Sequence, residues 1–147
     1  MILSVHGSRT LDDERVEILL REEIQKQNVT RIVTHAEPEG VCGVARRLCK
    51  TIAMPLVLHF LNFRYLRGAF ERRSKDVLKD AESAIFIHDG KSKGTSNELA
   101  LARKMGIEYT YHLLELPEHR TSVGFPIEEE WEVDKDDLDA NMFQVDT

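Results

Sequence analysis

Five short apolar runs recur along the chain, and the stretches between them carry their apolar residues at helical spacing. The runs are ILSV (2–5), RIVTH (31–35), PLVLHF (55–60), AIFIH (84–88) and EYTYHL (108–113). Each is brief, continuous and rich in β-branched or aromatic residues, the composition of strands covered on both faces. Val41, Val44, Ala45, Leu48, Cys49 and Ile52 fall at i, i+3, i+4, i+7, i+8 and i+11, with Arg46, Arg47 and Lys50 off that stripe, which predicts an amphipathic helix. Val16, Leu20 and Ile24 mark an earlier helix. Phe70, Val77, Leu78 and Ala81 mark a third, and Leu99, Ala102 and Met105 a fourth. Alternation of this kind predicts an α/β fold: a doubly wound parallel sheet of about five strands, in the order 3-2-1-4-5, with helices on both faces. The winding direction then reverses between strands 1 and 4, and the crevice beyond their carboxyl ends is where such sheets bind ligands.

The 147 residues, 41% of them hydrophobic, suffice for one core, and no internal repeat interrupts them. Charge divides the chain more sharply than hydropathy does. The net charge is −6, but Glu128 to Thr147 holds nine carboxylates and one lysine, a net of −8, leaving +2 for residues 1–127. The reading is therefore a domain over 1–116 followed by an acidic extension over 117–147. That extension is either a solubilising tail or a partner-binding, nucleic-acid-mimicking one. No stretch approaches the roughly 18–20 apolar residues of a membrane span. The start, MILSVHGSRT, lacks the pattern of a signal peptide. Cys42 and Cys49 lie about 10 Å apart along one predicted helix, too far for a disulfide. These features together give the expectation of a cytoplasmic protein.

Chemistry collects at the strand ends. HGSRT (6–10) supplies Gly7 for close backbone approach, the Ser8 hydroxyl, and Arg9, whose planar guanidinium suits a bidentate grip on phosphate. The loop from Asp89 to Thr95 contains Gly90 and Gly94. Its N–H groups are expected to form an anion-binding nest leading into the positive end of a helix that starts near Thr95, with Lys91 and Lys93 adding charge. An electropositive notch for a phosphorylated ligand is the expectation. GKS (90–92) does not make a triphosphatase phosphate loop, because Ile85 stands where that motif needs its first glycine. Thr95-x-x-Glu98 has two readings: a capping box, or a carboxylate at the mouth of the crevice able to act as acid or base.

Two further patterns bear on the same edge. His6, His35, His59, His88 and His112 all fall at or near strand ends. Three on neighbouring strands could hold a metal, but no carboxylate or cysteine stands at a familiar ligand spacing. Hydrogen bonding to loops or ligand is the preferred reading, and no metal or cofactor is expected. Arg64 to Lys79 carries six basic and two acidic residues. It is either a solvated face or the source of an arginine, Arg72 or Arg73, that reaches a ligand phosphate. Nucleic acid is not expected at a domain charge of +2.

VHGSR after strand 1, a loop with His35 and Gly40 after strand 2, FERRS (70–74) and GKSKGTSNE (90–98) together resemble the SLOG superfamily over about residues 1–113. This Rossmann-like group includes the lonely-guy cytokinin-activating phosphoribohydrolases, the DprA-like proteins and the YspA-like proteins, and the last branch looks closest. The resemblance implies a nucleotide pocket walled by Gly7, Ser8 and Arg9, with Gly90, Gly94 and Thr95 as phosphate cradle. It also implies pairing into dimers. Enzymatic members cleave the N-glycosidic bond of nucleoside monophosphates with a GTxxE loop and an arginine. Gly94, Thr95 and Glu98 match that loop, and Arg72 or Arg73 the arginine. Two departures stand out. The glycine pair before GTxxE is replaced by a longer, lysine-bearing loop. HAEPEG (35–40) also puts Glu37 and Glu39 where the YspA-like HGGxRG pattern has a glycine and an arginine. Those carboxylates either face away from phosphate or bind ribose hydroxyls or a base edge. The expected function is binding of a nucleotide or nucleotide-derived small molecule, as sensor or binding module. The alternatives are an N-glycoside hydrolase and a protein-interaction module using the acidic extension.

Overall fold

The computed structural model describes residues 1–116, apart from the side chains of Phe63, Leu66 and Arg67. The acidic extension lies outside the described residues. The apolar runs form strands β1 (Ile2–Gly7), β2 (Arg31–His35), β3 (Leu56–His59), β4 (Ser83–His88) and β5 (Tyr109–Leu113). They pair in parallel throughout, in the order β3-β2-β1-β4-β5. The expected doubly wound, Rossmann-like α/β architecture is the one observed. Four helices accompany the sheet: α1 (Glu14–Gln27), α2 (Gly40–Ile52), α3 (Ala69–Lys79) and α4 (Lys93–Met105). A 3₁₀ segment, Phe63–Gly68, leads into α3. Among the described residues no helix is long and apolar enough to cross a membrane. Cys42 and Cys49 are free and buried, and burial pushes their thiols up to about 12 and about 11.

The two faces of the sheet are unequal. Successive side chains of a strand point to opposite faces. Leu3 and Val5 of β1, with Ile32, Ile85 and Ile87, pack against Val16, Leu20, Val41, Ala45 and Leu48 of α1 and α2 in one large apolar cluster. The opposite face holds a smaller one, Leu78, Ala84, Phe86 and Ala102, under α3 and α4. Burying one large apolar side chain is worth about 1.5–3 kcal/mol, so the α1–α2 side supplies most of the hydrophobic stabilisation. The other face can then hold polar groups. Ser4 and His6, both fully buried, lie on it beside Phe86.

The turn after β1 is seated on the start of α2. Val41 N donates to Ser8 O at 3.2 Å. Gly40 has φ 71°, and a Cβ there would lie 2.5 Å from Arg9 Cα and 2.7 Å from Ser8 O. Gly40 therefore serves backbone packing, where the sequence suggested ligand contact. At the far end of α2, Ala53 holds the left-handed cap conformation with φ 59°, which costs an L-residue roughly 1–2 kcal/mol.

Opposite stability changes follow. Gly40→Ala should destabilise by about 2–5 kcal/mol, combining left-handed strain with overlap against the β1 turn. Ala53→Gly should stabilise by about 0.5–1 kcal/mol, the strain relief exceeding the added chain entropy. Urea denaturation of the three proteins checks both signs.

Candidate functional site

A cavity of about 440 Å³ opens at the strand ends, bounded by Gly7 and Arg9 after β1, His35 and Glu37 after β2, and facing residues of α3 and α4. It lies at the carboxyl ends of β1 and β2 on the α3–α4 face and is closed by Ser92, Gly94 and Thr95 of the segment after β4, so it takes in the expected crevice beyond strands 1 and 4 and extends toward β2. Phe70, Ala100 and Leu101 give it an apolar wall. Arg9, Arg73 and Lys104 are offset by Glu37, Glu71 and Glu98, so its formal charge is balanced and the electropositive notch is not found.

Glu98 lies at the centre. Ser74 Oγ donates to its Oε2 at 2.6 Å. His35 Nε2 stands 2.7 Å from Oε2 and His6 Nδ1 3.4 Å from Oε1. Neither nitrogen is aligned for a hydrogen bond, although both are buried. His6 is stacked on Phe86 with ring centroids 4.6 Å apart, and its Nε2 is 2.8 Å from Ser4 Oγ. Burial alone would raise the Glu98 carboxyl, but the adjacent His35 and His6 hold it well below its ordinary range. Burial also lowers His35, against the opposing pull of Glu98. Glu98 is thus an anion at neutral pH, unsuited to donate a proton and, held this low, a weak base. The capping-box reading is overturned: α4 starts at Lys93, and the cap is Ser92, whose hydroxyl accepts from Thr95 N at 3.4 Å.

The arginines separate cleanly. Arg73 is 5% exposed and donates from Nη2 to Glu37 Oε2 at 2.8 Å, while its buried Nε has no partner. Arg72 is half exposed, sits 3.5 Å from Asp76 and covers the Tyr65 ring, away from the cavity. Arg9 Nη2 stands 3.9 Å from Glu37. Burial would raise the Glu37 carboxyl, but Arg73 and Arg9 lower it overall. Glu37 is therefore a paired carboxylate between two guanidiniums, and the expected repulsion of phosphate does not arise from a lone charge. Glu39 is exposed at the start of α2 and does not line the cavity.

The loop after β4 also departs from expectation. Asp89 accepts from Thr10 Oγ1 at 2.6 Å and from the amides of Lys91 and Ser92 at 2.8 Å each. Its own amide donates to Ser8 Oγ at 3.0 Å. Two of the amides expected to form an anion nest, those of Lys91 and Ser92, are thus engaged by Asp89, a third, Thr95 N, by Ser92, and Ser8 is a joint between loops. Lys91 and Lys93 are exposed and, with Gly90, outside the cavity lining, whereas Gly94 and Thr95 remain in it.

The row of histidines divides. His59 pairs with Asp80 at 2.6 Å, and His88 contacts Tyr111 Oη and Ser92 O. His112 does not line the cavity. Only His6 and His35 converge on Glu98. Ser74 and Phe70 were not singled out by the sequence as site residues, and His6 entered only as one of the row of strand-end histidines. A signal for His6 existed in LSVH (3–6): polar residues alternating with apolar ones in a strand expected to be covered on both faces.

Asp89→Ala should cost about 2–3 kcal/mol near neutrality, because three accepted bonds are lost. Burial would raise this carboxyl, but Thr10 and the two amides lower it overall. Its contribution is accordingly complete above its ordinary pKa of 3.8 and fades as the pH falls toward the folded-state value. The difference in denaturation midpoint between wild type and Asp89→Ala should therefore shrink below about pH 4.

Comparison with family models, curated proteins and solved structures yields no match.

Proposed function

We propose that the cavity binds a nucleotide or nucleotide-derived phosphorylated small molecule. The observation that carries this reading is Arg73: a buried guanidinium in the cavity lining, held from one side by Glu37, whose buried Nε has no partner. A guanidinium fixed in this way needs little reordering to grip a phosphate or carboxylate oxygen. Phe70 and Leu101 offer an apolar surface for a base, and the start of α4 at Gly94 adds the positive end of a helix dipole. A volume of about 440 Å³ falls within the range of small-molecule sites. Phosphate is held by local donors, since the net charge of the lining is balanced.

A second reading, hydrolysis of an N-glycosidic bond in a nucleoside monophosphate, draws support from the ionised Glu98. Hydrogen-bonded by Ser74 in the cavity lining, its carboxylate is placed to orient an attacking water and to stabilise positive charge developing on the sugar.

Isothermal titration with nucleoside mono- and diphosphates should give saturable binding, weakened about 10-fold or more in Arg73→Lys, which keeps the charge and loses the fork. No binding of any nucleotide would overturn the reading. Free base released by wild type, and lost in Glu98→Gln with binding retained, would establish the hydrolase. Binding without release identifies a sensor or binding module.

A further inference from the structure

We propose that His6, His35 and Glu98 bind a divalent first-row transition-metal ion at the floor of the cavity. One nitrogen from each histidine and a carboxylate oxygen lie within 4.8 Å of one another, and all three residues are buried. Bonds of about 2.0–2.1 Å at tetrahedral angles place two donor atoms about 3.4 Å apart. The separation of His6 Nδ1 from Glu98 Oε1 is 3.4 Å. His35 Nε2 stands 2.7 Å from Oε2, so the two must draw apart by about 0.7 Å to reach that spacing.

The pattern of unsatisfied atoms leads to the same conclusion. Among the described residues, three buried side-chain nitrogen or oxygen atoms have no hydrogen-bond partner: His6 Nδ1, His35 Nε2 and Arg73 Nε. Two of the three are the nitrogens of this cluster.

The supporting groups are also in place. Ser4 fixes one imidazole and Ser74 the carboxylate, as outer partners do around metal ligands. Two imidazoles and one carboxylate suit zinc(II) or iron(II), whereas magnesium and calcium favour all-oxygen sets. His35 and Glu98 line the cavity, so the remaining coordination position faces it. A bound dication would also tip the balanced lining positive. This inference does not require the ligand of the cavity to be a nucleotide, and its test uses none.

Full-length protein stripped with chelator should bind one equivalent of zinc(II) by titration calorimetry, with a Kd of about 1 μM or tighter. Cobalt(II) should develop visible absorption bands at the same stoichiometry, and magnesium should do neither. Ser74→Ala, which leaves all three ligands in place, should weaken zinc binding about 10-fold; Glu98→Gln should weaken it further. Elemental analysis of freshly purified protein separates zinc from iron as the resident ion. Failure of wild type to bind stoichiometrically would leave a metal-free His-Glu-His cluster and overturn the proposal. Binding unchanged in both variants would overturn it too, since the ion would then sit elsewhere. Should Glu98→Gln not fold, the Ser74→Ala measurement decides.

Discussion

A carboxylate removed from water loses several kcal/mol of solvation unless other groups replace it, and Glu98 meets this requirement by drawing four elements together. The Ser74 hydroxyl comes from α3, His6 from β1 and His35 from β2, while Glu98 itself rides on α4. The two helices above this face share only a small apolar cluster with the sheet. Their mutual placement therefore depends on satisfying this one anion to an extent that the α1–α2 side, with its larger core, does not require. A polar cluster of this kind constrains geometry more tightly than apolar packing, because an unsatisfied member is costly.

The fold was legible because its signals are redundant. Five apolar runs, four helical stripes and the right-handed crossover rule leave few topologies, and errors of one or two residues at element ends do not alter strand order. The site was less legible because it depends on where single side chains point. Ser92 and Thr95 are both plausible caps three residues apart, and the choice decides the role of Glu98. With Ser92 as cap, Thr95, Glu98 and Ala102 fall on the buried stripe of α4, and the carboxylate turns inward. Arg72 and Arg73 are adjacent in sequence but about 100° apart around a helix, so only the packing of α3 distinguishes them. Asp89 was grouped with a ligand loop, yet its carboxylate organises that loop from within.

The arrangement of Glu37 shows how a carboxylate can be accommodated in the wall of the cavity. It serves as a strut between Arg9 and Arg73. Removing it would release Arg73, the guanidinium that must stay still. The chain keeps a fixed fork and accepts a weaker local field.

That equality of opposite charges around the cavity has a consequence for how a ligand arrives. Beyond a screening distance of about 8 Å at physiological ionic strength, the contributions of Arg9, Arg73 and Lys104 are cancelled by those of Glu37, Glu71 and Glu98. The lining itself therefore adds no net pull on an approaching anion, and any steering from afar comes from charges elsewhere on the chain. Discrimination falls instead on the final few ångströms, where desolvation and fit determine how long a visitor stays.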